Sequence, residues 1–382
     1  MLDPGATADE TGWSQGQASM ERMNPTRACF FWCGGSSYIS AGIRHLQRDP
    51  RLSVSFRVQL DARGYESSIF DGIQDVATFP IDRIDDIDGQ VEMVVAARPE
   101  VLVVSGWMLP AYMRLATDPR LRNVRLVMCM DNAWTGSMKQ RITAVVRRRY
   151  LRRMALVVGA GERSRTFARQ MGVPETRIRL GSYCCDFDAF SVAAKARCAL
   201  VSWPKRLLFV GRLVEAKGLD TLVDGYSRYR ACVPDPWPLT ICGRGPLEHL
   251  LREREGVELL GFLQPADLPR VFAEHGALVL PSRHEPWGVV IAEACAAGLP
   301  VACSDRCGAS LDLVRDYSNG ITFAAGDACG IRDALLYFHR QEGRLEEMGR
   351  ISSALAVPYS ARHWAMRWAE YLLAAASPDG DP

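Results

Sequence analysis

No stretch of this sequence approaches the roughly 20 consecutive apolar residues that a membrane-spanning helix needs. No Cys-x-x-Cys pair occurs, and the six histidines form no zinc-like cluster. A dominant charge is missing too. Lys and Arg number 46 against 44 Asp and Glu, and the net +2 is too weak a field to argue for nucleic acid. The 12 cysteines lie singly in apolar runs, save Cys184-Cys185, and Cys303 and Cys307 look incidental. They read as reduced, mostly buried thiols of a cytoplasmic protein. Residues 1–25 are polar, Gly-rich and acidic with no apolar core, so a disordered tail is expected there and no secretory signal is read.

What is present suits large cores: 382 residues, 48% hydrophobic. At about 150 residues per domain, two domains are expected. Short apolar runs alternate with helical patterns through both halves, which predicts parallel sheets with right-handed crossovers.

The most informative stretch runs from Ala277 to Gly298. Ala277 to Leu280 has the size of a buried parallel strand, stopped by Pro281. A polar loop carries Glu285, and from Trp287 the pattern turns helical up to Gly298. Glu293 follows Glu285 by a little over two helical turns, so both can face one side. Between them Gly288, Val289 and Val290 open the helix with amides that have no intrahelical partner, a natural receptor for an anionic or polyhydroxylic ligand. Read alone, two such glutamates are as a rule solvated surface charges.

Glu285-Pro-Trp-Gly-(x)4-Glu293-Ala, followed by Gly-Leu-Pro-Val, resembles the E-x7-E signature of glycosyltransferase family four. A second similarity is Gly211-Arg212-Leu213-(x)3-Lys217-Gly218, and a third is Gly243-x-Gly-Pro. The resemblance implies a GT-B fold: two Rossmann-like α/β domains with parallel sheets facing across a cleft. It implies a retaining, metal-independent transfer of a hexose from a nucleoside-diphosphate sugar, UDP- or GDP-linked, with no cofactor. Arg212 and Lys217 would hold the diphosphate, which suits fixed cations. Glu285 would touch sugar hydroxyls and Glu293 the ribose. Gly243 would lie near the donor, and the loop at Gly34 and Gly35 would approach donor phosphates or acceptor. Phe262-Leu263 would border the base.

The family's cleft histidine follows a strand that corresponds here to Arg125 to Met130. Asp131 or Asn132 stands in its place, and Asp131 would hold or polarise an acceptor hydroxyl. The same residue also suits an Asx turn or helix cap. Asp85-Asp86 is expected to face solvent. The implied acceptor is a glycan or lipid-linked hydroxyl in polysaccharide or glycolipid synthesis. Two other readings are a nucleotide-sugar-binding protein without activity, and a glycosidase using Glu285 and Glu293.

The implied layout is a first domain over 26–184, a linker over 185–204, a donor-binding domain over 205–358, and a last helix over 359–376 that returns to the first domain. Residues 139–153 predict one Arg-rich helix. It is read either as a solvated face with one buried stripe or as a peripheral contact with an anionic membrane on its cytoplasmic side.

Overall fold

A computed structural model describes residues 24–60, 66–80 and 86–377. The tail expected over residues 1–25 and Asp85 of the acidic pair fall almost wholly outside them. Asp86 caps a helix, its carboxylate accepting from the Gly89 amide at 2.9 Å.

Two parallel sheets carry the fold. The first contains Thr26–Cys33 (β1), Leu52–Leu60 (β2), Val76–Pro80 (β3), Val101–Val104 (β4), Arg125–Met130 (β5), Met154–Gly159 (β6) and Ile178–Leu180 (β7), in the order β3-β2-β1-β4-β5-β6-β7. The second contains Leu207–Val210 (β8), Leu239–Cys242 (β9), Val257–Gly261 (β10), Ala277–Leu280 (β11), Val301–Ser304 (β12) and Gly320–Phe323 (β13), in the order β10-β9-β8-β11-β12-β13. Central strands such as β4, β11 and β12 are buried throughout, as runs covered by helices on both faces must be. Strand β3 has no sequence signal of that kind: it is an edge strand of mixed polarity that ends in proline.

The chain crosses between the sheets twice, and the two crossings are bonded together. The Cys185 amide donates to the Tyr359 carbonyl at 2.9 Å, and the Ala361 amide donates to the Cys185 carbonyl at 3.0 Å. After the second crossing, the helix Ala361–Ala376 lies on the first sheet. Its indoles are anchored at the end of β7: Trp364 donates to the Ser182 carbonyl and Trp368 to that of Gly181, at 3.1 and 3.0 Å. Both rings pack on Phe30 of β1.

Two expectations need correction. Residues 185–204 are not a bare linker: Phe187–Cys198 is a helix, capped by Asp186 and packed into the second core through Phe190 on Phe272. Its Ala-rich sequence has little apolar periodicity. What holds it is Arg197, a buried guanidinium that donates to the carbonyls of Phe272, His275, Ala297 and Gly298 at the ends of two helices. The Arg-rich stretch is not one helix. It divides at Arg147 into Met138–Val146 and Arg148–Arg152.

Candidate active site

The carboxyl ends of both sheets face one cleft of about 940 Å³. That is where ligands bind in open α/β sheets. It is lined after β1 by Ser36, Ser37 and Tyr38, and after β5 by Asp131. From the second sheet it takes Gly211, Arg212, Lys217, Gly243, Arg244, the run 262–265, and Glu285 to Val290, with Glu293 behind them.

Glycine brings the two cation- and carboxylate-bearing loops together. Gly218 sits at φ +67°, and a methyl there would lie 2.4 Å from the Pro281 carbonyl oxygen. The Ala216 carbonyl then accepts from the amides of Arg283 and His284 at 2.8 and 3.1 Å. So joined, the loops pair Lys217 Nζ with Glu285 Oε2, which also accepts from Ser282 Oγ at 3.3 Å. Both charged side chains are only 13% exposed. Arg212 lines the same cleft, and its guanidinium has no hydrogen-bond or ion-pair partner among the described residues.

Gly288, at φ +98°, opens the helix Val289–Ala296, and no side chain caps it. Its first amides therefore remain available to a ligand. Glu293 lies inside that helix, is 9% exposed and lines the cleft. Burial, with a smaller push from Asp186, raises its carboxyl from 4.5 to about 7.

Asp131, and not Asn132, lines the cleft. Its Oδ2 accepts from the Tyr183 hydroxyl at 2.8 Å, and the exposed Asn132 amide lies 3.4 Å from Oδ1. The helix that follows is capped by Ser137 instead, so Asp131 does not serve as a helix cap. Burial raises the Asp131 carboxyl above its ordinary value, while the Tyr183 hydroxyl pulls it back.

Gly34 and Gly35 do not line the cleft. A methyl on Gly35 would meet the Phe70 ring at 2.7 Å, so that glycine makes room for core packing, and the cleft wall begins one residue later at Ser36. Tyr183, Arg244 and Trp287 are cleft residues to which the sequence pattern assigned no role. Arg244 and Trp287 stand inside the recognised motifs. Tyr183 has no such signal, because only the chain crossing brings it beside Asp131. Among the described residues no group of three His, Cys, Asp or Glu side chains has a metal-site arrangement.

Residues 204–341 match the family described as glycosyl transferases group 1, and residues 44–184 match the glycosyl transferase 4-like domain. The chain belongs to this family of GT-B glycosyltransferases. Among curated relatives, the lipopolysaccharide core biosynthesis mannosyltransferase LpsB of Rhizobium meliloti is 30% identical over 231 residues, 56% of this chain and 64% of that protein. The phosphatidyl-myo-inositol mannosyltransferase of Mycobacterium leprae is 36% identical over 144 residues, 36% of this chain and 38% of that protein. The match to a glycogen synthase of Mycobacterium tuberculosis is 32% over 139 residues, 35% of this chain and 33% of that protein. The chain thus spans about a third of the length of the first curated relatives it matches. HepE of Anabaena, solved with UDP and glucose, superposes with a TM-score of 0.71 at 19% identity, covering 92% of this chain and 100% of that one.

Proposed function

We propose that this protein is a retaining transferase that moves a hexose from a nucleoside-diphosphate sugar to a hydroxyl of a glycan or lipid-linked acceptor. One observation carries the reading. Arg212, Lys217, the amides at Gly288 to Val290, Glu285 and Glu293 all border a single cleft between two domains. A diphosphate needs fixed cations and a helix amino terminus, and a sugar and ribose need hydrogen-bond acceptors. The names of the relatives, mannosyltransferases and glycogen synthases, agree with this chemistry, as does the UDP held by HepE.

In the reaction, the bond from the anomeric carbon to the diphosphate oxygen breaks and a bond to the acceptor oxygen forms on the same face. Arg212, Lys217 and the helix amides stabilise the charge that develops on the leaving group. Glu285 faces the oxocarbenium-like centre and Asp131 orients the acceptor hydroxyl. The acceptor proton passes to the departing phosphate. The cations on the diphosphate are protein side chains, so turnover is expected to persist in EDTA.

The test is release of UDP or GDP from a panel of nucleotide sugars, with and without glycan acceptors. Wild-type rates in Arg212→Ala and Lys217→Ala would sink the reading. Free sugar released from a glycoside without nucleotide would favour the glycosidase instead. Nucleotide-induced thermal stabilisation without any turnover would favour a binding protein.

The acceptor side also suggests a surface. In the helix Met138–Val146 no residue is buried, so the expected buried stripe is absent there. Met138, Ile142, Val145 and Val146 are exposed, beside Lys139, Arg141, Arg148 and Arg149. This basic, apolar face suits peripheral contact with an anionic cytoplasmic membrane surface, which would present a lipid-linked acceptor. No helix among the described residues is long and apolar enough to cross a membrane.

A further inference from the structure

We infer that Tyr183 is a positioning residue for the transfer: its hydroxyl fixes the Asp131 carboxylate in one orientation toward the acceptor, and its ring ties that carboxylate to the donor loop. The inference rests on the transferase reading for the role of Asp131, but the contact itself is geometric.

Tyr183 stands just past β7, where the chain enters the first crossing, outside the sequence motifs quoted above. Its hydroxyl donates to Asp131 Oδ2 at 2.8 Å, across the end of β5. Its ring meets Tyr38 edge-on at 5.3 Å, on the first-domain wall of the cleft. On the other side it packs at 5.9 Å against Trp287, the residue before Gly288. Trp287 continues the row to Tyr359 of the second crossing at 5.4 Å. Its indole N–H donates to Asp312 Oδ2 at 2.9 Å, and Asp312 Oδ1 lies 3.3 Å from the Glu162 amide of the first domain. The Asp131 carboxylate is therefore registered to both domains at once, through rings with few rotamers. A productive transfer needs donor and acceptor aligned to within a fraction of an ångström. A carboxylate held at 2.8 Å by a rigid phenol supplies that alignment on the acceptor side.

The contact has an electrostatic consequence. The groups facing Asp131 are Cys129 on the strand just before it, Asn132, Tyr183, and His284 and Glu285 from the donor loop, with Tyr38 against the far side of Tyr183. Burial and Glu285 favour the protonated carboxyl, whereas Tyr183 and His284 favour the anion. Burial pushes the Tyr183 phenol well above its usual range, so it stays a donor. Removing its hydroxyl takes away a hydrogen bond to the charged form and must raise the Asp131 midpoint.

The experiment is Tyr183→Phe in the full chain, which keeps the ring. In protein labelled with carboxyl-13C aspartate, the Asp131 signal is assigned by its loss in Asp131→Asn. Its titration midpoint should rise by about one pH unit in Tyr183→Phe. An unchanged midpoint overturns the inference. With a nucleotide sugar that the wild type turns over, the acid limb of kcat should move up by the same amount while the donor KM stays put. Adding Tyr183→Phe to Asp131→Asn should have no further effect. A fall in kcat at every pH with no shift of the limb would mark a merely structural role and also overturn it. If the wild type turns over no nucleotide sugar, the transferase reading fails, and the carboxyl titration still decides the Tyr183 contact.

Discussion

Lys217 and Glu285 are 68 positions apart in the chain, yet they form an ion pair at the floor of the cleft. The pair holds its two charges together, each side chain only 13% exposed. Under the proposed function, a diphosphate donor would compete with Glu285 for Lys217, so the two side chains would act as one unit.

Lys217→Ala should therefore lower kcat by about 100-fold, the scale of losing one charge-stabilising group in a transition state. Glu285→Ala should cost a similar factor. The double variant should cost much less than the product of the two, because the groups act as a unit. Steady-state kinetics of the two singles and the double check this, and full multiplicativity would refute it.

Glu293 should make stability depend on pH. Its carboxyl titrates near 4.5 when unfolded and about 7 when folded. Between those values the folded chain binds the extra proton, so the contribution is complete below about pH 4.5 and lost as pH rises through 7. The size is about 3 kcal/mol. Urea unfolding at pH 5 and pH 8 should show the wild type losing most of that relative to Glu293→Gln. Parallel behaviour of the two proteins across this range would be the contrary result.

Gly288→Ala places a methyl at φ +98°, 3.1 Å from Glu285 Cγ. The backbone strain should cost about 1–2 kcal/mol of stability. The displaced Glu285 should raise the donor KM. Thermal unfolding and a substrate titration read the two effects separately.

The exposed apolar face offers a test without catalysis. Ile142 and Val145 are 58% and 76% exposed, so Ile142→Glu and Val145→Glu should leave the melting temperature within about a degree, surface changes being worth roughly ±0.5 kcal/mol. The same changes should abolish sedimentation with anionic phosphatidylglycerol vesicles. Equal partitioning of the wild type to neutral and anionic vesicles would end the membrane proposal.

Strands β8, β11 and β12, the helix after Gly288 and the Arg212–Lys217 loop are all legible in the chain, because a buried parallel strand and a helix start are local patterns of apolar runs, proline and glycine. The helix Phe187–Cys198 is not, since its stability comes from Arg197 reaching carbonyls 75 to 101 positions away. The exposure of Ile142, Val145 and Val146 was equally hidden: periodicity shows that a helix has an apolar side but not whether anything covers it.

Local order in the amino acids thus settled two Rossmann-like sheets and the donor-side motifs, since each such motif lies within about ten residues and its geometry is dictated by one strand, one turn and one helix. Folding alone decided that Tyr183 would hold Asp131, that Ser36 rather than Gly34 would begin the cleft wall, and that Lys217 would rest on Glu285. These contacts join separate loops, and their distances depend on how two sheets are docked and stapled by the paired chain crossings, which no local stretch encodes.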